Sequence, residues 1–162
     1  LVAELDPMDV KILTELQNNA RISNHDLAQR VGLSPSPCWR RVKRLEEEGI
    51  IERYAAVLAS EEVGLHLTAF AHVSLENHQR GTVEQFNAAI RAQDAVLECF
   101  STSGEYDYLV RVIAPSMADY ETFMSSVLMQ IPAVRSVNTS FVLKCNKSTT
   151  NLPLPASFPV RR

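Results

Sequence analysis

The sequence predicts an α+β protein in two parts, an N-terminal helix-turn-helix followed by a ferredoxin-like domain of order βαββαβ. Apolar residues recur at helical spacing through the first fifty residues, whereas the alternation typical of strands begins only after a polar break at 59–64. The predicted boundaries are 1–59 for the helix-turn-helix domain with a strand linker, 60–66 for a hinge, 67–144 for the ferredoxin-like domain and 145–162 for an extended tail.

The first helix is predicted to begin after Asp6 and to end near Asn18. Asp6 and Pro7 combine an N-cap with a proline at the first helical position. The apolar residues that follow give this helix one buried face: Met8, Ile12, Leu13 and Leu16.

The second and third helices are separated by a very short joint. Ser23 and Asp26 form a capping pattern for the second helix, and Gly32 is placed to end it. Leu33 and the Ser-Pro-Ser-Pro run at 34–37 follow, in which either serine can cap the third helix. So short a joint fixes the two helices at a steep angle. The third helix has one buried stripe: Cys38, Val42 and Leu45.

Cationic side chains occupy the exposed side of the third helix, where Arg40 and Lys43 lie opposite this stripe and are flanked by Arg41 and Arg44. A helix with such a face fits the major groove of B-DNA, which is about 12 Å wide and in which arginine pairs with guanine. Because the start of a recognition helix contacts bases, nearby residues join the predicted DNA-binding set: Ser34, Ser36, Pro37 and Trp39. A solvated charged face is the alternative interpretation, and Trp39 could instead pack at the edge of the core.

Bulk charge does not favour DNA binding. The formal net charge is -3, and the first sixty residues hold eight Lys and Arg against nine Asp and Glu.

The three cysteines form no CxxC pair, which predicts neither a disulfide framework nor a zinc site and fits a reducing cytoplasm. Neither a signal peptide nor a membrane span is expected.

The second half of the chain predicts strands at 50–58, 67–75, 95–102, 108–113 and 134–143, with helices around 83–90 and 118–131. After the linker strand, this order gives a four-stranded antiparallel sheet with both helices on one face. The other face would expose apolar side chains, which predicts self-association and the pairing of two recognition helices. The proline-containing tail is expected to be either disordered or extended across a neighbouring subunit.

Enzymatic signatures are missing from the sequence. The five glycines allow no GxGxxG, Walker or GxSxG motif, so no cofactor is predicted. His66 and His72 lie about 20 Å apart along a strand, too far to bind one metal ion. Two alternatives from other classes stay open: a small-molecule-binding regulatory subunit whose helical domain contacts a protein, and a catalytic α+β domain that turns over an amino-acid-like substrate.

Several stretches resemble the Lrp/AsnC (feast/famine) transcription regulators over nearly the whole chain: 5–13, 33–41, 45–50, 104–108, 140–143 and 149–150. The resemblance implies a winged-helix DNA reader, a strand linker and a sensor domain that forms dimers, often four in a ring. It also implies an amino acid as effector, bound between dimers near the turn at 101–108.

On that basis the predicted effector-binding residues are Ser101, Thr102, Gly104, Asp107, Tyr108 and Thr149. Gly104 would let backbone N–H groups approach a carboxylate, and Asp107 would accept the ammonium group. The alternative is structural, with Gly104 turning a hairpin that Asp107 caps.

Overall fold

The computed structural model describes residues 5–155, which divide into two compact units. We call them the helical unit, formed by residues 5–56 and 147–155, and the sheet unit, Val57–Asn146. Residues 60–66, expected as a hinge, belong to the sheet unit and contain a short 3-10 turn at Glu61–Val63.

The helical unit contains three helices: α1 at Pro7–Asn18, α2 at Asn24–Val31 and α3 at Pro35–Glu47. The predicted caps of the first two are confirmed. The Asp6 carboxylate accepts hydrogen bonds from the backbone N–H groups of Met8 and Asp9, and the Ser23 hydroxyl accepts one from Asp26. Gly32 ends α2 in the left-handed conformation, with φ of 77°.

The cap of α3 differs from the prediction. Ser34 occupies the N-cap position, but its side chain makes no capping hydrogen bond. One reason is chemical, because Pro37 stands at the third helical position and has no N–H to donate. The joint is held instead by the Asn24 side-chain amide, whose nitrogen donates to the carbonyl of Pro35 over 2.9 Å.

One core unites the three helices. Its buried members are Ile12, Leu13, Leu27, Ala28, Val31, Cys38 and Leu45. The predicted stripe of α3 is therefore confirmed, with Cys38 and Leu45 fully buried and Val42 packed beside them. Burial raises the pKa of the Cys38 thiol, which is the behaviour of a core residue.

The predicted linker strand at 50–58 is wrong for this chain. The N–H groups of Ile50 and Ile51 both donate to the carbonyl of Leu45, which ties the start of the segment to the end of α3. Beyond that point the backbone forms no ladder with any part of residues 5–155. A strand requires a hydrogen-bonded neighbour, and β-forming side chains alone do not supply one.

The C-terminal segment packs on the helical unit. The Gln17 side chain donates to the carbonyl of Leu152 over 3.2 Å and accepts from its N–H over 2.6 Å. Asn151 hydrogen-bonds Asn18, and Leu154 packs against the helical core. The described part of the tail is thus extended, as predicted, but it is held by α1 of its own chain and not by a neighbouring subunit.

The sheet unit has the predicted βαββαβ order. Its elements are β1 at Leu67–Leu75, α4 at Arg80–Arg91, β2 at Val96–Ser101, β3 at Tyr108–Ala114, α5 at Met117–Ser126 and β4 at Val134–Phe141. The strands lie in the order β2-β3-β1-β4, and every neighbouring pair is antiparallel. The last helix is shorter than predicted, because the backbone breaks at Val127 and continues as a 3-10 turn, Leu128–Gln130, that buries Leu128.

Both helices cover one face of the sheet. Phe86 and Ile90 of α4 and Tyr120 of α5 share one core with the inward-facing residues of the strands. Those strand residues include Ala69, Ala71, Val73, Val110 and Val112. The opposite face carries no helix of the described chain, and the register places Phe70, Phe100, Leu109 and Ile113 on it. This face is open and carries apolar side chains, as the sequence predicts, together with the Glu98–Arg111 ion pair.

Candidate functional site

The outer face of α3 exposes two cationic side chains, those of Arg40 and Lys43. Ser36, Arg40, Lys43 and Glu47 are all exposed, as helical periodicity predicts. Arg40 makes no ion pair or side-chain hydrogen bond within residues 5–155, whereas Lys43 has only a loose contact of 3.5 Å with Glu46. Arg40 is therefore oriented outward and is chemically available.

The remaining two arginines of α3 are not free. Arg41 Nη1 lies 2.6 Å from Asp6 Oδ2 and 2.8 Å from Asp9 Oδ1, and Arg44 Nη2 lies 2.5 Å from Asp9 Oδ2. Both are half-buried, so the expectation that all four cations face solvent is wrong for Arg41 and Arg44. The cause is tertiary, because the first turn of α1 lies against α3 and supplies two carboxylates.

The pKa values of Asp6 and Arg41 reflect this contact between α1 and α3. Desolvation by itself would raise the pKa of Asp6, but hydrogen bonds from the Asp9 backbone and from Arg41 lower it overall. Hydrogen bonds to Asp6 and Asp9 raise the pKa of Arg41 in turn. The arginines line an open pocket with a volume of about 410 Å³. Its lining residues are Asp6, Pro37, Arg40, Arg41 and Arg44.

Trp39 lies on the side of α3 that also carries Lys43, away from Arg41 and Arg44. It is 55% exposed, so it does not pack into the core, and it borders a groove of about 180 Å³ together with Tyr54. The Tyr54 hydroxyl donates to Glu46 over 2.9 Å, and burial together with this carboxylate raises the pKa of Tyr54 to about 12. This hydrogen bond connects the linker to α3. It involves neither Arg40 nor Lys43.

The turn between β2 and β3 brings together Thr102, Gly104 and Asp107 of the predicted effector set. The Thr102 hydroxyl donates to the carbonyl of Tyr106 over 2.9 Å, and the Thr102 N–H donates to the carbonyl of Asp107. Gly104 has φ of 128°, a conformation that side chains disfavour, which explains the glycine in this turn.

The Asp107 carboxylate already has two partners. Its Oδ2 accepts from the Leu75 N–H over 2.8 Å, and its Oδ1 lies 2.6 Å from His78 Nε2. The Leu75 hydrogen bond and then the His78 hydrogen bond lower the pKa of Asp107. His78 did not emerge from the sequence, because it lies 29 positions from Asp107 and belongs to no motif.

Three other residues of the predicted effector set are placed differently. Ser101 is exposed and pairs with Tyr108 across the two strands, while the Tyr108 ring is buried 4.5 Å from the Phe86 ring. Thr149 belongs to the helical unit, where its hydroxyl accepts from the Asn151 N–H. The turn thus assembles part of the predicted set, whereas the Tyr108 ring packs in the core of the sheet unit and is not available there.

Acid is expected to weaken the turn through Asp107. A carboxyl whose pKa is lower in the folded than in the unfolded chain stabilises the fold above the unfolded value, near 3.8, and loses that contribution as the pH falls through the folded value. The urea unfolding midpoint should therefore fall less for Asp107→Asn than for the unmodified chain between about pH 6 and pH 3. Glu105→Gln, in the same turn, is the control, and parallel curves for all three proteins would contradict this role.

Metal ligation finds no support among residues 5–155, which contain no cluster of three His, Cys, Asp or Glu side chains suited to an ion. His72 stacks near Tyr106, with ring centroids 5.1 Å apart. No helix in the described part of the chain is long and apolar enough to cross a membrane.

Two family models match the chain in the order of its two units. Residues 5–52 match a winged helix-turn-helix DNA-binding domain, and residues 68–152 match the Lrp/AsnC ligand binding domain. The DNA-binding match thus covers α1 to α3, and the ligand-binding match covers the sheet.

Curated relatives and solved structures agree with these matches. The leucine-responsive regulatory protein of Haemophilus influenzae is 41% identical over 93% of this chain and 90% of its own length. Transcriptional regulator AzlB of Bacillus subtilis is 37% identical over 93% and 96%. A Neisseria meningitidis transcriptional regulator, crystallised as a complex with L-Met, superposes with a TM-score of 0.89 at 44% identity, covering 92% of this chain and 96% of that one. The chain therefore belongs to the Lrp/AsnC family of DNA-binding transcription regulators.

Proposed function

We propose that this chain binds specific DNA sequences through Arg40 and Lys43 of α3 and changes its regulatory output when an amino acid occupies the β2–β3 turn. One observation carries the DNA half of the proposal. Arg40 is exposed and unpaired among the described residues, on the helix face opposite the buried Cys38 and Leu45. Such a residue can enter the major groove without breaking a contact of its own.

The remaining DNA contacts follow from position on α3. Arg40 would read a base and Lys43 would bind a phosphate. The start of the helix would approach the backbone through Ser34, Ser36 and Pro37, and Trp39 would border the same surface. The acidic C-terminal end of α3 would lie outside the groove, because Glu46, Glu47 and Glu48 repel phosphates.

Two observations support an amino acid as effector: the groups that the β2–β3 turn offers, and the ligands named for related proteins. A complex with L-Met is described for the Neisseria meningitidis regulator, and the Haemophilus influenzae relative is called leucine-responsive. An amino acid needs donors for its carboxylate and an acceptor for its ammonium group. The turn offers the backbone around Gly104, the hydroxyls of Ser101 and Thr102, and the Asp107 carboxylate. Thr149 is a further candidate.

The chain would act as a homodimer that assembles further, to an octamer in the arrangement that the resemblance implies. The open face of the sheet supports self-association, with Phe100 49% exposed on it. The linker supports it as well, because Val57 and Leu58 are 80% and 70% exposed and the segment has no strand partner among residues 5–155. A dimer would pair two α3 helices on one duplex. We place the protein in the cytoplasm and assign it no enzymatic activity.

Selection of bound sequences from a random DNA pool, with and without L-Met or L-Leu, tests this function. We expect one preferred motif with related half-sites and a change in affinity or assembly with one of the two amino acids. Enrichment of no sequence, together with capture of an acidic protein by α3, would favour the regulatory subunit that contacts a protein. Turnover of either amino acid would favour the catalytic domain.

A further inference from the structure

We propose that Asp9 determines how well the chain distinguishes its own DNA site from other DNA, by keeping Arg41 and Arg44 away from phosphates. The inference rests on the proposed function, namely that α3 binds DNA. It adds a residue that has no expected contact with DNA and that lies on a different helix from the recognition surface.

The geometry at Asp9 matches the way arginine recognises an anion. The carboxylate is fully buried, and both of its oxygens are used. Arg41 donates to Oδ1 over 2.8 Å, while Arg44 and the backbone N–H of Asp6 donate to Oδ2 over 2.5 and 3.0 Å. A DNA phosphate would offer the arginines the same kind of partner. Asp9 therefore occupies these side chains as a phosphate of the backbone would.

Moving Arg41 and Arg44 from the Asp9 carboxylate to DNA phosphates is unfavourable. If Arg41 and Arg44 moved to phosphates, the buried Asp9 carboxylate would lose its counter-charges, and a buried unpaired charge is costly. Arg44 illustrates how strongly Asp9 sets the orientation. Its Nε is buried without a hydrogen-bond partner among the described residues, and Glu48 at 4.0 Å is too far to supply one.

A consequence for specificity follows from the number of free cations. Binding to unrelated DNA comes almost entirely from phosphate neutralisation, and each neutralised phosphate adds about 0.9 to the slope of affinity against salt concentration on logarithmic scales. With Arg41 and Arg44 held, α3 presents only Arg40 and Lys43. Affinity for unrelated DNA stays low, while the base contact of Arg40 is kept.

Salt titrations of the full chain test the role of Asp9. The substitution Asp9→Asn removes the charge that holds the arginines and keeps the shape of the side chain. We expect the salt slope for an unrelated duplex to become steeper by about one to two. We also expect the ratio of affinities for the selected and unrelated duplexes to fall at least about tenfold. Glu121→Gln is the control, since it makes the same change in net charge on α5 at an exposed residue.

If circular dichroism shows that Asp9→Asn does not fold, a second pair of substitutions tests whether Asp9 keeps Arg44 away from phosphates. Arg44→Gln should leave the salt slope unchanged, whereas Lys43→Gln should reduce it by about one. The inference is overturned by a folded Asp9→Asn protein with the original slope, or by equal reductions for Arg44→Gln and Lys43→Gln. Failure of the unmodified chain to bind any duplex would be a separate result and would reject the proposed function itself.

Discussion

Replacing Arg40 by alanine is expected to weaken binding to the selected duplex by about 1–3 kcal/mol and to relax the base preference at one position in each half-site. Arg40 is the arginine of α3 that is exposed and unpaired within the described chain, so its guanidinium is the group available to pair with a guanine edge. Titrations against duplexes carrying each of the four bases at every position would locate the lost preference.

Two comparisons separate base reading from general electrostatics. Lys43→Ala should weaken binding to the selected and unrelated duplexes alike, because a lysine that contacts a phosphate does not distinguish one base from another. Arg91→Ala removes an exposed arginine of α4 and should change neither affinity. If Arg40→Ala lowered affinity uniformly and left every base preference intact, Arg40 would be a phosphate contact and the reading role would be lost.

Replacing Asp107 by asparagine is expected to weaken binding of the responsive amino acid by about 1.5–3 kcal/mol, the contribution of a hydrogen bond to a charged group. Asparagine keeps an acceptor for the Leu75 N–H, so the turn should persist, but it removes the negative charge that attracts the ammonium group. Calorimetric titration of the purified protein with L-Met and L-Leu measures the loss.

Glu105→Gln serves as the matched control, because it removes the same charge from the same turn at an exposed residue. It should leave the affinity close to that of the unmodified protein. Should Asp107→Asn bind the amino acid normally, the carboxylate would serve only to hold Leu75 and His78, and the structural alternative for this turn would be correct.

The elements that could be predicted are those whose signals are local. Asp6, Ser23 and Gly32 mark helix ends through hydrogen bonds or backbone conformations that span a few residues. The alternation of side chains along 67–75 correctly predicted the bounds of β1, because one face of this strand is buried by helices. The 3-10 turn after α5 was missed, since the apolar spacing continues through it while the backbone does not.

The candidate site was only partly predictable for a related reason. Helical periodicity correctly places Arg40 on the outside of α3, but it cannot show that Arg41 and Arg44 meet carboxylates 32 and 35 residues earlier. The Asp6 and Asp9 spacing does fit a capping box, so one half of that contact was visible in the sequence. His78 and the linker depend on partners that no local pattern reveals.

Chemical protection of guanine N7 on the selected duplex tests most directly whether α3 lies in the major groove. We expect the bound protein to protect guanines in two half-sites about one helical turn apart, or a multiple of that, and Arg40→Ala to restore reactivity at one guanine in each. Undiminished N7 reactivity across a duplex that is fully bound, or protection confined to minor-groove positions of adenine, would contradict it.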